Sequence, residues 1–367
     1  MIFKMPSFPN SQIKNIATKL LGRQDIECQL INQGGNSCIY QVTCHNGNQY
    51  ALKSYPPLAL DPLMLSEDFV RTKKCILGAA PRDRLGTEFN ALKFLYNQGE
   101  QRIPQPITAD QLNNVAIYSW LDGVVVDVPD EADLNEVISF LMHLKQLGHN
   151  AHSSRINDAS AACFSAEAVV AQFSYRFKTF DGASQQSVEL KTFFEQNLVP
   201  AFEKIKSWTV KGYQQAGLEF SKEINHKILS PSDFGFHNAI RDEQQLYFID
   251  FEYFGWDDPV KLVSDFLWHP GMQLSSQFKQ RFCQECLSLY QSDGEFLTRL
   301  KLLYPLYGLI WCLILLNEFK QNDWQRRRHA GIYKDKKYQQ IKQQQLDKAK
   351  HQLSIILNTY QRFPYDQ

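Results

Sequence analysis

In the middle of this chain three oxygen-bearing side chains stand at fixed steps. Ser230-Pro231-Ser232-Asp233-Phe234-Gly235-Phe236-His237-Asn238 puts an Asp five residues ahead of an Asn, and Asp250 follows twelve residues later, at the end of the apolar run Leu246-Tyr247-Phe248-Ile249. The stretch reads as a loop and a short hairpin that deliver polar groups from a rigid base. Moving a phosphoryl group from a nucleotide to a hydroxyl requires groups in this order: a carboxylate to hold and deprotonate the hydroxyl, then an amide and a second carboxylate to hold magnesium on the phosphates. Asp233 is the candidate base. Asn238 and Asp250 are the candidate ligands of Mg2+, which takes hard oxygen donors and seldom more than two protein carboxylates. Singly, Asp233 would read as a turn or cap residue, and Asp250 as the end of a surface strand. His237, next to Asn238, reads by default as a loop residue satisfying backbone groups, and Glu252 as a residue near the metal or the acceptor.

Around this stretch the patterns divide the chain into an N-terminal part, 1–121, and a C-terminal part, 122–367. Ile13, Ile16, Leu20 and Leu21 give a helix over Ser11 to Leu21. Short strands are expected at Ile26 to Gln33, Cys38 to Cys44 and Gln49 to Tyr55. Gly34-Gly35-Asn36-Ser37 joins the first two, and Asn46-Gly47 makes a hairpin of the last two. A helix over Arg82 to Gln98 and strands at Ile107 to Ala109 and Val115 to Leu121 complete the sheet-rich part. From Asp130 onward helical spacing dominates: Asp133 to Gly148, Ser165 to Thr179, Ser187 to Ser207, Ser275 to Ser292, Glu295 to Phe319 and Tyr333 to Tyr360. The fold class is therefore α+β.

Composition narrows the function classes. Lys plus Arg equals Asp plus Glu, at 39 each. Nucleic-acid binding is not expected, because phosphate-backbone affinity rests on accumulated positive charge. Neutrality conceals a basic stretch from Glu318 to Lys350, with ten Lys or Arg against four Asp or Glu, including Arg326-Arg327-Arg328. The eight cysteines are scattered, which fits reduced thiols in the cytoplasm. Cys283-Gln284-Glu285-Cys286 has no second pair at zinc spacing. No membrane span is expected: the longest apolar run, Leu302 to Leu316, is short for a bilayer and suits a buried helix.

A small sheet-rich lobe, a connecting strand and a larger helical lobe with this loop is the plan of the protein-kinase-like fold. Over roughly Ile26 to Pro270 the chain resembles the aminoglycoside phosphotransferase and choline kinase family. That resemblance implies further roles. Lys53, in Tyr50-Ala51-Leu52-Lys53, would bind the nucleotide phosphates, held by Glu88 in Leu85-Gly86-Thr87-Glu88-Phe89. Gly34, Gly35, Asn36 and Ser37 would cover the phosphates with backbone N–H groups. Ser119 and Leu121 would meet the adenine edge through main-chain groups. Asp257, Asp258 and Asp265 would support the catalytic loop. The chain departs from the family at Pro231 and Ser232, where His and Gly are usual.

The function expected is ATP- and Mg2+-dependent transfer of the γ-phosphate to a hydroxyl of a sugar, amino sugar or amino alcohol. The acceptor would lie near Trp256, Trp268, Trp311 and Trp324. One alternative is a nucleotide-binding module without turnover that works through partners. Another is a kinase-fold enzyme that transfers AMP or modifies a protein.

Overall fold

Alternating burial builds the N-terminal sheet. In the computed structural model, which describes residues 10–33, 37–56, 83–243, 245–272, 274–321, 324 and 338–365, strands β1 (Ile26–Gln33), β2 (Cys38–Cys44), β3 (Gln49–Ser54), β4 (Pro106–Asp110) and β5 (Val115–Ser119) form one antiparallel sheet in the order β1-β2-β3-β5-β4. Side chains alternate across it. Val42, Leu52, Val115 and Ile117 face helix α1 (Asn10–Leu21) and its Ile13, Ile16 and Ala17. Ala116 and Tyr118 face the other way, towards helix α2 (Arg84–Asn97) and its Leu85, Leu92 and Leu95. Asp83 caps α2 by accepting from the Gly86 N–H at 2.7 Å. Gly47, at φ +86, makes the β2–β3 turn in the left-handed conformation expected of Asn-Gly.

The rest is mainly helical. Helices α3 (Glu131–Gly148), α4 (Ala166–Lys178), α5 (Asp181–Gln186), α6 (Val188–Phe193), α7 (Val199–Gln215), α8 (Pro259–Trp268), α9 (Ser276–Leu289), α10 (Phe296–Leu315) and α11 (Tyr338–Thr359) enclose one large core. Caps set their starts: Asp130 and Asp133 form a capping box on α3, and Ser165, Asp258 and Ser275 cap α4, α8 and α9. The span Phe296–Phe319 is long and apolar enough to cross a membrane, but 78% of its most apolar window is buried within the fold. It is the central core helix that its sequence suggested. Cys283 and Cys286 are buried in α9, and the described cysteines form no disulfide.

Several elements differ from expectation, among them the short helix α5. The helix read as Ser187 to Ser207 is α6, a π turn at Phe194–Leu198 and α7, which runs on to Gln215. Pro200 lies in the first turn of α7, and its missing N–H and bulky ring are accommodated by the wider turn just before it. Three short strands, β6, β7 and β10, escaped notice because two or three residues carry no period. Strand β6 (Val124–Val125) pairs with β8 (Ala239–Arg241), which pairs with β9 (Leu246–Phe248). Strand β10 (Gly255–Asp257) pairs with β7 (Ile228–Ser230). These two small sheets clamp the loop 231–238 at both ends. The expected Gly34, Gly35 and Asn36 turn and the Arg326 to Arg328 cluster lie outside the described residues.

Candidate active site

Period-2 alternation on β3 sends Leu52 into the core against α1 and Lys53 to the face covered by α2. On α2, Glu88 falls on the same stripe as Leu85, Leu92 and Leu95, so it is buried against the sheet. The two meet at 2.6 Å. Lys53 Nζ also lies 2.7 Å from Asp250 Oδ1, so one ammonium joins the sheet to the end of the β8–β9 hairpin. The Tyr55 hydroxyl donates to Glu88 Oε2 at 2.8 Å and lies 2.7 Å from the Tyr118 hydroxyl. Glu252 is buried and ion-paired with Arg84, the first residue of α2, which also reaches the Tyr253 hydroxyl at 3.2 Å.

Burial alone would favour neutral Lys53, but the carboxylates of Asp250, Glu88 and Glu252 outweigh it and hold the ammonium well above the usual lysine range. Burial pushes Glu88 up to about 7 against the pull of Lys53. Burial and the neighbouring Asp250 carboxylate raise Glu252 as well. Carboxylate oxygens of Glu88, Asp250 and Glu252 lie within 4.8 Å of one another. Such a concentration of acidic oxygens suits a hard divalent cation.

Asp233 lies on the loop between β7 and β8. Its side chain is 37% exposed, and His237 Nε2 stands 3.1 Å from its Oδ1. Burial pushes the Asp233 carboxyl up, but the hydrogen bond from His237, the nearby imidazoles and Lys261 more than offset this and leave it below its ordinary value. Asn238 donates its Nδ2 to the Asp233 carbonyl at 2.9 Å, so its amide oxygen is left for another partner. The Asn238 carbonyl accepts from the Ile249 N–H at 3.0 Å, which ties the loop to the residue before Asp250. Asp233, Asn238 and Asp250 are thus parts of one hydrogen-bonded unit, with Lys53 facing Asp250 from the sheet.

Two of the four described non-glycine residues with positive φ stand here. Ser232 and Asp250 have φ of +68° and +67°, a region that costs most residues of order 1 kcal/mol or more. Ser232 occupies the position where the resemblance expects Gly, and the left-handed conformation shows why Gly would suit it. The Ser232 N–H donates to Ser230 Oγ at 3.0 Å, and its Oγ accepts from Lys261 Nζ at 3.0 Å. Lys261 also meets Asp257 at 3.1 Å and Asp265 at 2.9 Å, all largely buried. Asp258 caps α8 and pairs with Arg299 at 2.6 Å.

Sequence reasoning missed Lys261, His269, Arg84 and Arg299. Lys261 and Arg84 stood in helices where a basic residue is ordinarily solvated. For Lys261 alone there was a signal: Asp257 and Asp265 lie four residues either side of it. Other expectations are narrowed. The Ser119 N–H donates to the Gln105 carbonyl at 2.9 Å, so it is committed within the sheet and unavailable to a base. Leu121 is half-buried after β5, and Ser37 half-buried before β2. Of the four tryptophans expected by the acceptor, Trp311 alone among the described contacts reaches the Asp233 cluster, its ring edge-on to His269 at 4.8 Å. Trp256 bonds the Ser153 carbonyl, Trp268 stacks on Tyr304, and Trp324 packs on Tyr338, because aromatic bulk serves the core first.

No protein-family model and no curated protein matches the chain. Solved structures do. A spectinomycin phosphotransferase, solved with ADP and spectinomycin, superposes with a TM-score of 0.59 at 12% identity over 93% of this chain and 99% of that one. An aminoglycoside phosphotransferase in a streptomycin–ATP ternary complex gives 0.56 at 16% identity, over 98% and 100%. The choline kinase of Cryptosporidium parvum Iowa II gives 0.53 at 13% identity, over 95% and 100%. At such identities the likeness establishes the fold: this chain has the protein-kinase-like architecture that these proteins share.

Proposed function

We propose that this protein is an ATP- and Mg2+-dependent kinase that transfers the γ-phosphate to a hydroxyl of a small molecule, within the classes of sugar, amino sugar and amino alcohol. The observation that carries this reading is the meeting of Lys53 with Glu88 and Asp250, whose neighbour Ile249 is hydrogen-bonded to Asn238 in the loop that carries Asp233. Residues 1–121 would bind the nucleotide, and residues 122–367 would supply the catalytic loop, the metal ligands and the acceptor site. Solved structures with this fold include nucleotide complexes and phosphotransferases that act on small molecules, which supports the same class.

The donor set suits magnesium. Asp250, the amide oxygen of Asn238 and Glu252 would hold it, and its charge would offset that of the phosphates. Asp233 would accept the proton of the acceptor hydroxyl through Oδ2, which has no hydrogen-bond partner among the described residues. The acceptor oxygen would then form a bond to the γ-phosphorus as the bond to the β-phosphate oxygen breaks, releasing ADP. Lys53 would neutralise charge on the phosphates, exchanging its bond to Asp250 for one to them, while Glu88 keeps it aimed.

A screen of MgATP consumption over monosaccharides, amino sugars, amino alcohols and nucleosides tests the proposal. It expects phosphorylation of one class, carried by the parent protein and lost in Asp233→Asn. A second expectation concerns the metal: in Asp250→Ala the magnesium-dependent part of the thermal shift by ADP disappears, and an unchanged shift removes the metal assignment. A nucleotide-binding module without turnover is the second reading, favoured by Pro231 in place of the usual His. It predicts an ADP shift with no phosphorylated product from any acceptor.

A further inference from the structure

Pro231 removes the imidazole usual two residues before the base, yet two imidazoles stand at Asp233. His237, in the 3-10 turn Phe236–Asn238, places Nε2 3.1 Å from Asp233 Oδ1. His269, at the end of α8, places Nε2 3.8 Å from the same oxygen. The rings stack with centroids 3.7 Å apart and planes 8° apart. His269 meets the Trp311 ring edge, Trp311 Nε1 donates to Asp265 Oδ1 at 2.8 Å, Asp265 meets Lys261, and Lys261 donates to Ser232 Oγ. The contacts therefore form a closed ring that leaves the loop at Ser232 and returns to it at Asp233.

The proton positions follow from the partners. The Gly271 N–H donates to His269 Nδ1 at 3.1 Å, so that nitrogen carries a lone pair and the ring proton is on Nε2, facing Asp233. Burial and the adjacent His237 lower the His269 imidazolium to about 3, so the ring stays neutral. An ionised carboxylate only accepts, so the His237 nitrogen bonded to it also carries a proton. The His237 N–H thus bonds Oδ1, and the His269 Nε2–H faces the same oxygen from another part of the chain at 3.8 Å, beyond hydrogen-bond reach.

We propose that His237 and His269 act as a stacked pair of positioning residues that replace the missing brace, holding Oδ1 so that Oδ2 faces the acceptor hydroxyl. The inference rests on the reading of Asp233 as the base. The same three side chains have donor atoms within 4.8 Å of one another, a spacing that a transition metal can bridge. The Gly271 N–H opposes that use: metal on His269 Nε2 would force the proton onto Nδ1, against the Gly271 donor.

The test uses His269→Phe, which keeps the stack and the contact with Trp311 but removes the donor, and His269→Gln, which returns an N–H. Turnover is read as MgATP consumption with water as acceptor. His269→Phe should lower kcat about 10-fold with the KM for ATP unchanged. His269→Gln should recover most of the loss, and His269→Phe should cost nothing further in an Asp233→Asn background. An unchanged kcat, or an equal loss in the Asp233→Asn background, overturns the proposal. So does a zinc-induced thermal stabilisation of the parent that His269→Phe abolishes. Histidine 15N resonances give a reading independent of turnover. The proposal requires the Nε2–H tautomer of His269 and movement of both the His237 and His269 signals in Asp233→Ala; a proton on His269 Nδ1, or unmoved signals, sinks it. If the parent shows no turnover, the kinase reading fails, and the tautomer measurement alone decides whether the pair holds Asp233.

Discussion

Two carboxylates flank the same hairpin region and are held in opposite ways. Asp250 is bound to Lys53 at 2.7 Å in a crowded group of charges that includes Glu88, Glu252 and Arg84. Asp233 meets imidazole nitrogens, one of them on a ring that burial keeps neutral, and the nearby ammonium of Lys261 in α8 is spent on Ser232, Asp257 and Asp265. A carboxylate that must exchange partners is suited to an ammonium that can itself turn to a phosphate. A carboxylate that must keep one orientation is suited to a directional bond from an imidazole that is itself held in a stack.

The largest expected effect lies on the Asp233 side. Asp233→Asn should lower turnover by roughly 10²- to 10⁴-fold while leaving the thermal shift by MgADP intact; loss of the shift as well would erase the distinction between the two sides. Lys53→Ala should lower turnover by about 10²- to 10³-fold and raise the KM for ATP, since it removes a charge aimed at the phosphates. A near-normal KM would break the nucleotide assignment of that side.

Lys261→Met probes the support common to both. It leaves Asp257 and Asp265 buried without their cation, a loss of roughly 3–5 kcal/mol of folding stability by denaturant titration. A stability equal to the parent's would show that the loop does not depend on this buttress. Glu100 sharpens the comparison, because it has both kinds of partner: Arg102 at 2.8 Å and His143 at 2.8 Å. Burial raises its carboxyl, but the bonds from Arg102 and His143 prevail and bring it down to about 2. A depressed folded value contributes stability that is present above about 4.5 and is lost as pH falls through that value towards 2. Glu100→Gln should therefore be destabilised by about 3 kcal/mol at pH 7, with the gap closing as pH falls to about 2. A gap independent of pH would assign the effect to packing.

Much of the fold was legible because its periods are long. Eight residues of β1, fourteen of α2 and twenty of α10 each repeat a pattern often enough to declare it, and Asn46-Gly47 announces its own turn. β6 and β10 were not legible, since their pairing is a property of the partner strand. Within the candidate site, Asp233, Asn238 and Asp250 could be found by spacing. Lys53 and Glu88 could be found by their order on a strand and a helix. His269 had no such signal: it lies 36 residues beyond Asp233, and its meeting with His237 depends on the path of α8.

The order of residues along the chain was enough to set the α+β class, the sheet and its covering helix, and the identity of the polar groups near the hairpin, because these depend on local periodicity and short spacing. Which charges face which was settled only by folding. Lys53 bonds Asp250 across 197 positions, and Lys261 reaches back 29 positions to hold Ser232 in a left-handed conformation. Such contacts depend on how helices and sheets pack against one another, and packing is a matter of shape and volume that no short window of sequence contains.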